Sequence, residues 1–528
     1  MLTRLLIPLL CCTVLTSLTA RAAGPEVTIV TAPNPDGLDR FATDELKRIL
    51  EALFQAQVTA TDKAAEAPNR ILVESRQTGE SGKPGTHFLQ STPGGLVLGG
   101  ATPLARLWAV YEFGHRNGIR YLPTGDFLPL ETPAFTLEGY DESLSPVADH
   151  RTWRALGTSP ASQASWSLAD YEALFTQLVK MKFNRVELVM QPSQVFAGTV
   201  APGSGIWEGA PIDVSGDIAG RSVFAGSKTF DHPAMRAKKT VEERGEAAVV
   251  FVKEVIAAAK KRGLAVTIEL IGADEKQLAA LGDLYPEADQ VTATPTFPIL
   301  TFAQPGGGLM PHPAVLDPGE KSTDFSVEAP LVADHAHTLW QLSRRAFQSK
   351  SDPDEDLQHL IGPICGEGVV ESFGNGLAAL TEAAALLAKE DPAFGVPGDP
   401  GFMRFYESAE PVPDWITKGK ELYGKAVGEF YRANTRARDG ARPLLLRHAK
   451  RATFALHYVS AAEAARKAGI AKAAGDDDAR IENLELAVEA MHNALAIYAE
   501  VATEPGDAGA IALINADAYR PLLRALDE

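Results

Sequence analysis

Apolar residues recur along this chain in three successive rhythms. In the first, short alternating runs flank helical stripes. "EVTIVTA", "QVTATD", "RILVES", "HFLQST" and "GLVLGG" read as strands separated by Gly/Pro-rich breaks. Between them, "DRFATDELKRILEALF" places Leu46, Ile49, Leu50, Leu53 and Phe54 on one helical stripe. A second helix is capped by Thr102, has Pro103 in its first turn and carries Leu104, Leu107, Trp108 and Tyr111 on one face. Gly118 stops that helix, and "IRYLPT" continues as a strand. The pattern predicts a compact α/β domain over residues 24–142.

The second rhythm, over residues 143–350, has the order strand, helix, strand, long loop, helix, strand. "HRTWRALG" is a candidate first strand. Ser167 then opens a helix with Tyr171, Leu174, Phe175, Leu178 and Val179 on one face, and "NRVELVM" follows as a strand. A Gly/Pro-rich excursion from Gln191 to Thr240 precedes the helix "GEAAVVFVKEVIAAAKKRG" and the strand "LAVTIELIG". Such alternation is the signature of parallel βαβ units, and a (β/α) TIM-like barrel is the closed form expected. A full barrel takes about 250 residues. Asp149 to Ala346 is shorter, and after Ile271 only "QVTAT" and "PILTFA" read as strands, so the barrel is expected to be incomplete. The third rhythm, over 351–528, is helical. Leu484, Val488, Met491, Leu495 and Tyr498 mark one helix and "RHAKRATFALHYVSAAEAARKAG" another, which predicts a helical bundle.

Composition narrows the partners. Residues 1–23 read as a signal peptide: Arg4 is the positive start, Leu5 to Leu18 the apolar run and Ala20-Arg21-Ala22 the small-residue site. Cleavage near Ala22-Ala23 and export to the periplasm or beyond are expected. Cys365 is then the remaining cysteine, which excludes an internal disulfide; in "GPICGEG" it reads as a small buried hydrophobe. The formal charge of −18 argues against nucleic acid and against anionic membrane as partners, and says little against a neutral sugar. No later segment is apolar for long enough to predict a membrane span.

The stretch Gly95–Asp126 carries a resemblance. Gly99-Gly100, Val110-Tyr111-Glu112-Phe113, Gly118-Ile119-Arg120-Tyr121 and the turn Pro123 to Gly125 are similar to the accessory domain ahead of the catalytic barrel in alpha-glucuronidases and bacterial beta-N-acetylhexosaminidases. "HRTWRALG", "LVKMKFNRVELVM" and "KKRGLAVTIEL" resemble the first barrel units of those families, and the C-terminal helices are similar in kind to the helical domain of alpha-glucuronidases. The resemblance implies a sugar-processing glycoside hydrolase with carbohydrate as substrate or ligand.

Glycoside cleavage needs two carboxyl groups about the scissile bond, and a barrel places them at the C-terminal ends of strands. Glu187 in "RVELVM" and Glu269 in "VTIELIG" fit that position as candidate catalytic acids; the alternative is an ion pair within the barrel. Arg151, Trp153 and Arg154 are candidate binding residues, because an arginine fork holds carboxylates or vicinal hydroxyls and an indole stacks on a sugar ring. Their alternative is a structural strand with an arginine paired to a barrel acid. Trp207, in the long second loop, is a further binding candidate. Asp274-Glu275 resemble the Asp-Glu pair of hexosaminidases but follow the third strand rather than the fourth, and Asp274 reads better as a helix N-cap. His312, His335 and His337 lack companions at ligand spacing, so no metal is expected, and no motif calls for a cofactor. Gly306-Gly307-Gly308 lacks the strand, helix and lysine of a phosphate loop. Two functions follow: an exported hydrolase of oligo- or polysaccharide, or a degenerate barrel that binds glycans or scaffolds other proteins without cleavage.

Overall fold

The structure, a computed structural model, describes residues 24–63, 69–75, 83–155, 159–190, 211–296, 299–301, 309–311, 324–347, 352–395, 401–438 and 440–528. Its first unit comprises β1 (Glu26–Val30), α1 (Gly37–Phe54), β2 (Gln57–Thr61), β3 (Arg70–Ser75), β4 (His87–Thr92), β5 (Gly95–Gly100) and α2 (Pro103–Arg116). The hairpin of β6 (Arg120–Leu122) and β7 (Gly125–Phe127) and the strand β8 (Asp141–Leu144) complete it. The sheet runs β2-β1-β3-β5-β4-β8, parallel as far as β5 and antiparallel from there to β8. "IRYLPT" therefore pairs with β7 rather than joining the sheet. Because β8 belongs to this sheet, the unit reaches Leu144, past the boundary expected at residue 142.

Local chemistry sets α2. The Thr102 hydroxyl accepts the Ala105 N–H at 3.1 Å, Pro103 lies in the first turn, and Gly118 takes a left-handed φ of 94°. A side chain at Gly100 would meet the Ala105 Cβ at 2.6 Å, so the glycine lets the helix start hard against β5. Thr102→Ala is expected to lower stability by about 1 kcal/mol in chemical denaturation, whereas Thr102→Ser retains it.

The central region contains β9 (Arg151–Ala155), α3 (Leu168–Lys180), β10 (Arg185–Met190), the small pair β11 (Ile212–Asp213) and β12 (Thr229–Phe230), and α4 (Val241–Lys261). It continues with β13 (Ala265–Leu270), α5 (Glu275–Leu284), β14 (Gln290–Thr292), β15 (Ile299–Thr301), β16 (Phe325–Glu328) and α6 (Ala336–Arg345). The main sheet has the order β14-β13-β10-β9-β16-β15, and every pairing is parallel. Its first strand, β9, sits between β10 and the last strand, β16. That is the order of a sequential ring opened between the consecutive strands β14 and β15. Among the described residues this ring has six strands, where a complete (β/α) barrel has eight. The alternation that sequence reading lost after Ile271 thus returns with β16.

The last region is helical: α7 (Pro353–Cys365), α8 (Val370–Glu390), α9 (Asp414–Arg436), α10 (Arg442–Ala474), α11 (Asp477–Ala499), α12 (Pro505–Ile514) and α13 (Arg520–Asp527). Helices α8 to α11 pack consecutively into a bundle. Among the described residues no helix is long and apolar enough to cross a membrane. Cys365 is free and buried, and burial pushes its thiol up to about 12, which leaves it an unreactive core group.

One core runs without a break from the first sheet (Ile29, Ile71, Leu98) through Trp108 and Tyr111 to the ring (Trp153, Val186, Ile268), and a second fills the bundle. The first two units are also joined by charge. Glu112 of α2 is fully buried and accepts from Lys182 at 2.5 Å and from Arg344 at 2.7 and 3.1 Å. Burial alone would raise the Glu112 carboxyl, but Arg344 and Lys182 outweigh it and hold the group well below the carboxylate range. Arg120 reaches the third region, donating to the His359 carbonyl at 2.7 Å and lying over the Trp340 ring. The Tyr-Glu-Phe and Gly-Ile-Arg-Tyr segments are therefore joints between units.

Candidate active site at the strand ends

Alternation gives each ring strand two faces. One carries Trp153, Val186, Leu188, Met190, Val266, Ile268, Leu270 and Val327, all buried in the core shared with α3 and α4. The opposite face carries Thr152, Arg154, Glu187, Thr267, Glu269, Ser326 and Glu328. Apolar residues face the helices because burial there removes them from water; the polar set is left to line the ring. Register sets Arg154 beside Glu187 on one side and beside Glu328 on the other, with Glu269 across from Val189. Three carboxylates from three strands thus converge on one guanidinium.

The Arg154 Nη1 donates to Glu187 Oε2 at 2.8 Å and also to Glu269 Oε2, and its Nε donates to Glu328 Oε2 at 3.4 Å. The other oxygen of Glu187 accepts from the Thr296 N–H at 3.3 Å and the Thr296 hydroxyl at 3.1 Å. Glu187 and Glu269 are 0% and 3% exposed, whereas 38% of the Glu328 side chain is exposed. Burial raises the Glu269 pKa, and Arg154 reverses only part of that effect. Burial opposes the charge on Arg154, but Glu269 and Glu187 more than offset it and raise its pKa. Chemically, Glu269 is suited to hold a proton, Glu328 is the carboxylate that meets solvent, and Glu187, committed through both oxygens, is a brace.

Sequence reading selected Glu187, Glu269 and Arg154, and the structure brings these together. It missed Glu328 and Thr296. The signal for Glu328 was present in "DFSVEAP", where Phe325 and Val327 alternate with Ser326 and Glu328 ahead of Pro330. Arg151 and Trp153 lie on the opposite, helix-facing side. Arg151 is 1% exposed, donates to the Lys182 carbonyl at 2.6 Å and lies over the Trp108 and Phe347 rings, with burial pushing its pKa down to about 9. Trp153 is 0% exposed and packs edge-on to Phe183, so neither presents a face to a sugar. Trp207, His312 and Gly306-Gly307-Gly308 lie outside the described residues. Asp274 caps α5, accepting from the Gln277 N–H at 2.8 Å. His335 and His337 are buried at the start of α6, and among the described residues no group of three or more His, Cys, Asp or Glu side chains is placed to hold a metal.

No family model matches the chain, and no curated protein matches it in sequence. Solved structures similar to it are glycoside hydrolases. One is a GH138 enzyme targeting pectin rhamnogalacturonan II, 12% identical, with 90% of this chain and 92% of that one covered and a TM-score of 0.48. Another is a family GH115 4-O-methyl-alpha-glucuronidase with specificity for decorated arabinogalactans, 12% identical, covering 90% of this chain and 78% of that one at a TM-score of 0.48. A third, from Clostridium perfringens, is a family 89 glycoside hydrolase, 10% identical, covering 86% of this chain and 65% of that one at a TM-score of 0.47.

Proposed function

We propose that this protein is a glycoside hydrolase acting on an oligo- or polysaccharide by carboxylate acid/base catalysis, with Glu269 as the proton-bearing acid. The observation that supports the reading is the convergence of Glu187, at mid-strand, and of Glu269 and Glu328, near the C-terminal ends of their parallel strands, on Arg154; barrel enzymes build their sites at those ends. Glu269, whose pKa burial raises, is the group suited to give a proton to a leaving group, and the part-exposed Glu328 is the partner that a sugar or water can reach. Arg154 and Glu187 position this pair. Residues 1–23 direct the chain out of the cytoplasm in this proposal, so the N-terminus of the exported protein should begin close to Ala23.

A second reading, glycan binding without cleavage, draws on one feature: Arg154 bridges Glu187 and Glu269 through a single nitrogen, as a structural ion pair would. Chromogenic glycosides and glucuronoxylan fragments separate the two. Hydrolysis by the wild type, reduced about a hundredfold in Glu269→Gln and in Glu328→Gln, is the expected result. A wild type that cleaves nothing yet gains thermal stability with oligosaccharide is a binding protein. Full activity in Glu269→Gln removes that residue from the chemistry.

A further inference from the structure

Where the three regions meet there is a cavity of about 420 Å³. The β6–β7 hairpin supplies Phe127, the turn ahead of α3 supplies Trp166, α3 supplies Leu174, and the starts of α10 and α12 supply Leu444 and the residues about Glu504. This volume is within the range of small-molecule pockets, and the walls are largely apolar. Its position behind α3, on the helix side of the ring, makes it separate from the Arg154 cluster.

The charges bordering it are unequal. Arg447 is the sole cation among the described lining residues, against Asp170, Glu500 and Glu504, of which Glu500 is paired with Lys450 at 3.0 Å. Arg447 is already committed: its Nε donates to Asp334 at 2.8 Å, and Nη1 and Nη2 donate to Asp507 at 2.9 and 3.0 Å. Arg451 also donates to Asp334, at 2.9 Å. In this buried network three carboxylates, Asp334, Glu504 and Asp507, share two guanidiniums. The member at the cavity wall is Glu504. It accepts the Val332 and Ala333 N–H groups at 3.3 and 3.1 Å, but its distance to Arg447 is 3.6 Å, the longest in the network. Burial and the neighbouring Asp507 push its carboxyl up to about 8, as expected for a carboxylate short of positive charge.

We infer that this cavity is a binding site for a small organic cation, an apolar body bearing an ammonium or quaternary ammonium head that sits against Glu504. Phe127 and Trp166 supply aromatic surface of the kind that attracts such a head, and the aliphatic wall takes the rest.

Thermal denaturation of the full chain at pH 9, where Glu504 carries its charge, with benzyltrimethylammonium, and with benzyl alcohol as the neutral comparator, tests it. The cation is expected to raise Tm saturably by about 2 °C at roughly ten times its Kd, and benzyl alcohol to give no comparable rise. Glu504→Gln should abolish the difference. Ala173→Trp and Thr124→Trp, at exposed positions on the lining, should each fill the space and remove the response without unfolding the protein. No rise, an equal rise with benzyl alcohol, or a rise that survives both filling variants overturns the inference.

Discussion

Glu112→Ala is expected to cost about 3–5 kcal/mol of folding stability, because it takes the shared carboxylate away from two buried cations, Lys182 and Arg344. Lys182 and Arg344 converge on this carboxylate from two different elements of the central region, and Arg116 approaches it at 3.5 Å. Glu112→Gln, nearly the same in volume, should be almost as damaging if charge rather than packing is responsible. The pH dependence has a defined sign. Burial pushes the Lys182 ammonium down to about 8, below its value in the unfolded chain, so between these values the unfolded state binds more protons. Stability through Lys182 therefore rises with pH above about 8, and removing Glu112 moves that window lower. Urea unfolding at pH 7 and at pH 9.5 should show a variant deficit that narrows in alkali. A variant within 1 kcal/mol of wild type at pH 7 would show that the cluster does not hold the two units together.

Arg154→Met should be comparably severe at neutral pH, about 3–5 kcal/mol, and should recover in acid. Without the guanidinium, the buried carboxylates Glu187 and Glu269 lose the cation they are paired with among the described residues. Glu269 already has a raised pKa with Arg154 present, and its loss must raise it further. An acid whose folded pKa lies above its unfolded one is stabilising below the unfolded value. That contribution is lost as pH rises through the folded value. The deficit of Arg154→Met measured at pH 7.5 should accordingly shrink at pH 5, and adding Glu187→Gln and Glu269→Gln to it should restore much of the loss. Equal deficits at both pH values would assign the effect to packing. Arg154→Lys keeps the charge but loses the fork that contacts three carboxylates, and should fall between.

Much of this was legible in the chain because the ring strands alternate. In "RVELVM", Val186, Leu188 and Met190 are apolar, and Arg185 and Glu187 are not; "AVTIEL" repeats the pattern with Val266, Ile268 and Leu270 against Thr267 and Glu269. That period marks Glu187 and Glu269 as alternating with apolar neighbours, while the face each one takes depends on the register, which the structure supplies. The same period separates Arg154 from Arg151 and Trp153 in "RTWRA", yet chemistry favoured all three as binding groups, and the face was decided by packing against Trp108 and Phe347. β16 was obscured because four residues give too short a run to stand out from Gly/Pro-rich surroundings. Helix starts were read well, since Thr102, Ser167 and Asp274 act through backbone groups only three residues away. The Glu112 cluster joins residues far apart in sequence, and no local pattern encodes which lysine or arginine will meet it.

The pairing of β9 with β16 has a consequence for synthesis. Their contacting residues Arg154 and Glu328 are 174 positions apart, so a nascent chain leaving the ribosome has β9 long before its second neighbour exists. The N-terminal sheet is complete once Leu144 has emerged, but at that moment Glu112 faces neither Lys182 nor Arg344. The first unit must therefore await α6 with an acid on its docking surface that has Arg116 beside it but lacks its two cations from the central region, a built-in reason for it to stay hydrated and apart until the rest of the polypeptide arrives.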